Sequence, residues 1–136
     1  MDLGAYFFST AYSIDIVELA TELEQRGFES LLVPEHTHIP ASRKTEWPGG
    51  GDLPKEYYHT YDPFVALSFA AGATTTLKIG TGICLIPQRD AIVTAKCVAS
   101  LDHLSNGRFI FGIGGGWNVD EMENHGAKYS SRFKLL

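Results

Sequence analysis

The chain has 136 residues, a formal net charge of −5 at pH 7, 44% hydrophobic residues and 20% charged residues. This composition is typical of one soluble globular domain, here residues 1–136, and the acidic balance argues against nucleic acid or an anionic membrane surface as a partner. No apolar run reaches the roughly 18 residues that a membrane-spanning helix needs, and the N-terminus lacks the segments of a secretory signal. We therefore predict a cytoplasmic protein.

The N-terminal part of the chain is predicted to form a strand, a helix and a second strand. Residues 3–8 are a short apolar and aromatic run of strand character. The helix is predicted to begin with Ser13 as its N-cap and to stop at Gly27. The second strand covers residues 28–33 and ends before Pro34. The predicted helix places apolar residues on one face at i, i+3, i+4 and i+7: Ile16, Leu19, Ala20 and Leu23.

Residues 39–61 form a long segment without helical or strand periodicity, and the Trp-Pro-Gly-Gly-Gly-Asp run at 47–52 excludes a regular element there. A loop of this length in a compact domain is usually functional or disordered. Its end is rich in aromatic side chains, which favours a loop that folds over something: Tyr57, Tyr58, His59 and Tyr61.

Two further units follow this loop. Asp62 and Pro63 are suited to be the N-cap and first residue of a second helix. A third strand is predicted over residues 77–86, with glycines in its middle that indicate a bulge or close backbone approach. A third helix covers 90–104, and the Ser-Asn-Gly run at 105–107 ends it in a left-handed turn.

A fourth strand is predicted from Arg108, and it passes directly into the glycines of residues 112–116. Glycine has no Cβ and permits close approach of a ligand, so this strand end is interpreted as the rim of a binding site. The alternative is a glycine-rich turn without a ligand. A dinucleotide fingerprint is disfavoured because Trp117 stands where its third glycine is required. Residues 120–136 are predicted to be a solvated loop.

The alternation of strands and helices predicts an α/β fold with parallel strands joined by right-handed crossovers. Glu35 and His36 directly follow the second strand, at the edge where catalytic residues collect in such folds. They are interpreted as an acid–base or hydrogen-bonding pair, and the alternative for His36 is a histidine that only caps the strand.

Two other groups have residue types that can carry chemistry. His36 and His38 have the spacing of a metal-binding pair, but no further His or Cys has a matching position, so no metal site is predicted. Cys84 lies in the apolar third strand and is predicted to be a buried, inert thiol rather than a reactive one. Cys84 and Cys97 are both expected to be reduced.

Four stretches together resemble the luciferase-like monooxygenase superfamily, and most closely its deazaflavin-dependent oxidoreductases, which use coenzyme F-420. The resemblance covers nearly the whole chain and depends on the order and spacing of all four stretches. These are Pro34-Glu35-His36-Thr37, Ile79-Gly80-Thr81-Gly82-Ile83, Leu101–Arg108 and Gly112–Asn118.

The resemblance implies a TIM barrel that binds a flavin or deazaflavin at the carboxyl ends of its strands. It implies that His36, with Glu35 beside it, serves the reaction or orients the substrate. It also implies a strand bulge at Gly82 and Ile83, often with a cis peptide, behind the cofactor ring, and a backbone contact from Gly115 at the ring edge. The implied cofactor-binding residues are Thr81, Gly82, Ile83, Gly114, Gly115 and Trp117.

The chain departs from this family in length. A TIM barrel has eight strand–helix units and about 250 residues, whereas four strands and three complete helices are predicted here. We therefore expect the N-terminal half of a TIM barrel, either as a fragment of a longer enzyme or as a naturally short chain. Because a half barrel leaves strand edges uncovered, we expect a homo-oligomer or a C-terminal half supplied elsewhere.

The predicted function is hydride transfer between coenzyme F-420 and a small organic substrate, in a site that is incomplete in this chain alone. One alternative is an FMN-dependent monooxygenase of the same superfamily. A second alternative is a non-catalytic half-barrel module for dimerisation or binding, and a metal-dependent hydrolase is a distant third.

Overall fold

The protein is built on a four-stranded parallel sheet that helices cover on one face. The structure is a computed structural model and describes residues 1–136. The strands lie in chain order and are β1 (Gly4–Tyr6), β2 (Ser30–Val33), β3 (Lys78–Leu85) and β4 (Phe109–Gly114). The helices that follow them in turn are α1 (Ile16–Gln25), α2 (Pro63–Ala73), α3 (Ala91–Leu104) and the short α4 (Val119–Asn124). The predicted α/β fold with parallel strand–helix units is confirmed.

The predicted N-cap of α1 is wrong by two residues. Asp15 caps the helix, since its carboxylate accepts hydrogen bonds from the backbone N–H groups of Val17 (2.9 Å) and Glu18 (3.3 Å). The Ser13 hydroxyl instead donates to the carbonyl of Thr10 at 2.9 Å. Both side chains are good N-caps, so the sequence offered two neighbouring starts and the turn around Thr10 decided between them.

The predicted boundaries of α2 and α3 are confirmed by their caps. Asp62 accepts a hydrogen bond from the Val65 N–H at 3.1 Å, directly before Pro63, and Asp90 accepts one from the Val93 N–H at 2.8 Å. The end of α3 is fixed by a left-handed turn in which Asn106 and Gly107 have φ angles of 57° and 77°.

The two faces of the sheet differ because paired residues of neighbouring parallel strands point to the same side. One row across the strands packs against the helices and belongs to the core or borders it: Ala5, Leu31, Ile79 and Phe109. The next row points to the opposite side, here called the open face: Tyr6, Leu32, Gly80 and Ile110. Leu31 and Ile79 are fully buried, which contributes about 1.5–3 kcal/mol each to folding.

Glycines in β3 allow the strands to approach closely. A Cβ at Gly80 would lie 2.7 Å from the carbonyl oxygen of Ile110 and equally close to the Leu32 side chain. The register between β3 and β4 shifts between Thr81 and Cys84, so the predicted bulge is confirmed. The peptide bond between Gly82 and Ile83 is cis, as the family resemblance implied.

Two expectations about irregular segments need correction. Residues 120–136 are not a solvated loop, because they contain α4, whose Glu121 and Met122 are fully buried, and a 3-10 helix at Tyr129–Lys134. The long loop after β2 contains a 3-10 helix at Lys55–Tyr58. None of the helices has both the length and the apolar character needed to cross a membrane.

Candidate active site

A cleft of about 270 Å³ opens at the carboxyl ends of the strands. Every strand or the segment that follows it contributes to the wall, together with the 3-10 helix of the long loop. The lining is mostly aromatic and aliphatic: Tyr6, Phe8, Pro34, Glu35, His36, Tyr57, Gly82, Ile83, Leu85, Gly116 and Trp117. No lysine or arginine lines this cleft.

The aromatic side chains form a connected wall around His36. The ring centroid of Tyr57 lies 4.8 Å from that of Phe8 and 5.2 Å from that of His36. The Trp117 ring lies 5.8 Å from the His36 ring on another side. The prediction that the long loop folds over something is confirmed, since Tyr57 of that loop lines the cleft beside His36.

A buried carboxylate holds the imidazole of His36. His36 Nδ1 lies 2.7 Å from Glu121 Oε2, and the two side chains are 7% and 0% exposed. The other oxygen of Glu121 accepts the backbone N–H of Thr37 at 3.1 Å. Because a carboxylate accepts hydrogen bonds, His36 Nδ1 is the donor, and Nε2 bonds to no other protein group. The imidazole is thus fixed in orientation and tautomer, with one nitrogen left for a ligand.

Sequence reasoning missed Glu121, which it placed in a solvated tail. Asn118 caps α4 by accepting the Glu121 N–H at 3.3 Å, an arrangement that matches the Asn-x-x-Glu pattern of a helix start. That pattern was available to predict the helix. The pairing with His36 was not, because 85 residues separate the two side chains.

Glu35 lies beside His36 in sequence, but its carboxylate is engaged elsewhere. Its Oε2 accepts the backbone N–H of Leu85 at 2.7 Å, and its Oε1 accepts from Arg89 Nε at 2.5 Å. Arg89 also donates to Asp62 at 2.6 Å. With its side chain 1% exposed and both oxygens occupied, Glu35 has the contacts of a residue that positions the ends of β2 and β3, not those of a free acid or base.

Cys84 is buried next to this ion pair, and its thiol is an unreactive one. Burial, and then the nearby charge of Glu35, raise the pKa of Cys84 to about 12. The thiolate that reacts with electrophiles is therefore nearly absent at neutral pH. The prediction that Cys84 is buried is confirmed, and its raised pKa is what an inert thiol would have.

The structure brings three of the six predicted cofactor-binding residues to the cleft, namely Gly82, Ile83 and Trp117. The Thr81 hydroxyl is turned away and donates to the carbonyl of Gly112 at 2.7 Å. The remaining two do not line the cleft. A Cβ on Gly114 would overlap the Ile83 side chain, and one on Gly115 would lie 3.0 Å from Phe133.

Gly116, which sequence reasoning did not select, lines the cleft with a φ of +73°. A Cβ there would lie 3.3 Å from Leu85 and 3.5 Å from Met122. The general signal, a strand end rich in glycine, was therefore read correctly, while the individual glycine at the cleft depends on the local turn.

His38 does not share a partner with His36. Its Nδ1 lies 3.0 Å from the Thr37 hydroxyl and its Nε2 lies 3.0 Å from the Asn124 amide. The Thr37 hydroxyl also contacts His125 Nε2 at 2.6 Å. The chain has no group of three or more His, Cys, Asp or Glu side chains placed to hold a metal ion. His38 thus belongs to a surface contact with the end of α4.

A half barrel of parallel strands, with an apolar cleft and a carboxylate-bound histidine at their carboxyl ends, is the architecture of a TIM-barrel enzyme site. Comparison with known protein families supports this assignment of the fold. The family model described as luciferase-like monooxygenase matches residues 9–136, and the chain belongs to that family. Its curated relatives include 4-hydroxyprotoasukamycin monooxygenase, limonene 1,2-monooxygenase and a 5,10-methylenetetrahydromethanopterin reductase.

The chain is 40% identical over 139 residues to an uncharacterized protein of Mycobacterium tuberculosis, covering all of this chain and 49% of that protein. It therefore spans about half the length of this curated relative. Among solved structures it is similar to the coenzyme F-420-dependent tetrahydromethanopterin reductase of Methanopyrus kandleri. That similarity has a TM-score of 0.67 and 26% identity over 92% of this chain and 30% of the reductase.

A second solved structure has the same fold with another cofactor. This is the oxygenating constituent of 3,6-diketocamphane monooxygenase from Pseudomonas putida, in complex with FMN. The TM-score is 0.71 and the identity 20%, over 94% of this chain and 33% of that protein. The four strands of this chain thus correspond to the N-terminal half of a TIM barrel.

Proposed function

We propose that the chain is part of an F-420-dependent oxidoreductase that transfers hydride between this deazaflavin and a small organic substrate. The observation that carries the proposal is the buried contact of 2.7 Å between His36 Nδ1 and Glu121, at the wall of an apolar cleft. Such a contact presents a histidine of fixed tautomer to a ligand. The F-420-dependent reductase among its structural relatives supports the choice of cofactor.

The residues of the cleft fit a flat, largely apolar ring. Gly82 leaves the cleft open beside Tyr6, since a Cβ there would lie 3.1 Å from the tyrosine ring and would narrow the space above it. Gly116 exposes backbone to the cleft, and Trp117 supplies an aromatic surface. We infer that Gly82, Ile83, Gly116 and Trp117 hold the ring by backbone contact and stacking.

The cofactor would supply the hydride chemistry. The chain's own residues would orient the substrate and move its proton. Because Glu121 keeps the proton of the neutral ring on Nδ1, Nε2 of His36 accepts a hydrogen bond or a proton from the polar atom that faces it. Tyr57 packs beside His36, whose side chain is only 7% exposed, and Glu35 with Arg89 holds the strand ends that frame the site.

The cleft also limits the substrate. Its walls carry no lysine or arginine, and the neighbouring Arg89 is committed to Glu35 and Asp62. A phosphate or carboxylate would be desolvated there without a cationic partner, which is costly. We therefore expect the part of the substrate that contacts this half of the site to be uncharged and apolar, with one oxygen or nitrogen facing His36.

A titration of the purified chain with F-420 and with FMN, followed by fluorescence, tests the proposal. We expect saturable binding of F-420 that is at least about tenfold tighter than that of FMN, a difference of about 1.4 kcal/mol. FMN is the second candidate because one structural relative holds it, and tighter binding of FMN would favour the monooxygenase reading. Binding of neither would favour a non-catalytic module.

A further inference from the structure

One buried side chain beside the cleft has polar atoms that no group of the protein satisfies. Gln88 lies in the 3-10 helix Ile86–Gln88, directly after β3, and is only 7% exposed. Neither its amide nitrogen nor its amide oxygen has a hydrogen-bond partner within the protein. Native proteins pair nearly all buried polar atoms, because a buried amide without a partner costs free energy of folding. The Gln88 amide therefore makes no hydrogen bond that stabilises the fold, which directs attention to a ligand.

The Gln88 amide borders a gap in the wall of the cleft. Leu85 and Gly116 both line the cleft, and the position that a Cβ would take on Gly116 lies 3.3 Å from Leu85 Cδ2. The same position lies 3.5 Å from Met122 Cε and 3.7 Å from Gln88 Nε2. These distances are close to those of ordinary van der Waals contact. Because Gly116 has no side chain, one non-hydrogen atom of a ligand has room there.

The surroundings of this gap select a carbonyl oxygen. Of the three side-chain atoms nearest to the Cβ position, only Gln88 Nε2 is polar, and an amide NH₂ group donates hydrogen bonds. An acceptor placed about 0.5 Å closer to Nε2 than this position is within hydrogen-bond distance. A hydroxyl or amino group would turn hydrogens of its own towards Leu85 and Met122, whereas a carbonyl oxygen has none.

We propose that Gln88 is a ligand-binding residue of the cleft, and that its amide N–H donates to a ring carbonyl at the edge of a bound flat heterocycle. The inference rests on the proposed function, since it takes the occupant of the cleft to be a flat ring. The bond gives a mostly apolar cleft a polar contact that fixes the orientation of the ring. No hydrogen bond within the protein is lost when it forms.

Dissociation constants of two flat tricyclic rings for the purified chain test the proposal by fluorescence. Lumichrome carries ring carbonyls at one edge, and acridine carries none. We expect Gln88→Met to bind lumichrome about tenfold more weakly than the unmodified chain does, because the carbonyl loses its donor, and to bind acridine equally well. F-420 should show the same loss as lumichrome. Gln25→Met makes the same change at an exposed position at the end of α1, and it should bind every ring as the unmodified chain does.

Urea unfolding without ligand separates this role from a structural one. Because Gln88 has no hydrogen-bond partner within the protein, Gln88→Met should unfold at a urea concentration no lower than the unmodified chain does. Equal binding of lumichrome by both proteins overturns the proposal, as does a less stable Gln88→Met in which both rings bind more weakly. Binding of neither lumichrome nor F-420 by the unmodified chain overturns it as well. If lumichrome binds with the expected loss in Gln88→Met and F-420 does not bind, the role of Gln88 holds and the proposed cofactor is wrong.

Discussion

At the scale of single residues, the site depends on one imidazole and the carboxylate that fixes it. His36 lies in the cleft wall on the segment after β2, and Glu121 reaches its ring from α4, so two distant parts of the chain must fold together to make the pair. Glu121 is fully buried, and its second oxygen holds the Thr37 N–H. The carboxylate thus fixes both the ring and the backbone beside it.

His36→Ala is expected to lower the rate of hydride transfer between F-420 and a suitable substrate about 100-fold, because a positioned acid–base group accelerates a reaction by about this factor. The dissociation constant of F-420 should change little, since the cleft walls remain. Single-turnover absorbance measurements separate the two quantities. His103→Ala, at an exposed position near the end of α3, is the matched control. Unchanged turnover in His36→Ala would remove His36 from the mechanism.

Glu121→Gln is expected to lower turnover, because an amide can turn its NH₂ group towards His36 Nδ1 and then no longer holds the ring with a proton on that nitrogen. Turnover should fall less than in His36→Ala, since the imidazole remains in the cleft wall. Single-turnover rates at neutral pH measure the loss. Turnover equal to that of the unmodified chain would contradict a role of Glu121 in holding His36.

At the scale of elements, the Glu24 carboxylate near the end of α1 binds the backbone of the segment that connects α2 to β3. One oxygen of Glu24 accepts the backbone N–H groups of Thr75, Thr76 and Leu77 at 2.8, 2.5 and 2.9 Å. Hydrogen bonds from Thr76 and then Leu77 lower the pKa of Glu24 to about 2 from an ordinary value of 4.5. The ionised form is therefore the one that stabilises this connection.

Glu24→Gln is expected to lower the free energy of unfolding at pH 7 by about 1 kcal/mol, a modest value because the group is partly exposed. Since its folded pKa is depressed, the stabilisation is complete above pH 4.5 and is lost as the pH falls towards 2. Urea unfolding across that range measures it. Glu22→Gln, in an exposed pair with Arg26, should cost less than about 0.5 kcal/mol and is the control. Equal losses in both variants would contradict this account.

The elements themselves follow largely from local patterns in the sequence. The helix ends depend on residues that act on neighbouring backbone groups, so a short stretch of sequence is enough to predict them. Examples are Asp62 with Pro63, Asp90, and the Asn-Gly turn after α3. The N-cap of α1 was misplaced because Ser13 and Asp15 are equivalent locally. The partner of His36 was missed because it depends on a contact across 85 residues, which no local pattern encodes.

At the scale of the whole molecule, the ion pair of Glu35 and Arg89 joins parts that the sequence separates. Arg89 lies between β3 and α3, Glu35 follows β2, and Asp62 caps α2. The position of Glu35 at the strand ends was predicted correctly from the sequence. Its ion pair with an arginine 54 residues away could not be predicted. The carboxyl edge of the sheet is therefore held together by charge as well as by packing.

Arg89→Met is expected to lower the free energy of unfolding by about 3–5 kcal/mol, because Glu35 is left buried without its cation. Urea or thermal unfolding followed by circular dichroism measures the loss. Arg26→Met removes an exposed arginine from its pair with Glu22 and should cost less than about 1 kcal/mol. A loss below about 1 kcal/mol in Arg89→Met would mean that the pair does not hold the strand ends.

The central claim is that the cleft at the strand ends holds the cofactor ring, and the dissociation constant of F-420 tests it most directly. Ile83→Trp fills the cleft, whereas Ile92→Trp places the same side chain on the outer surface of α3. We expect the unmodified chain and Ile92→Trp to bind F-420 equally, and Ile83→Trp to bind at least about tenfold more weakly, a loss of about 1.4 kcal/mol. Equal binding by all three proteins would place the cofactor elsewhere and contradict the account.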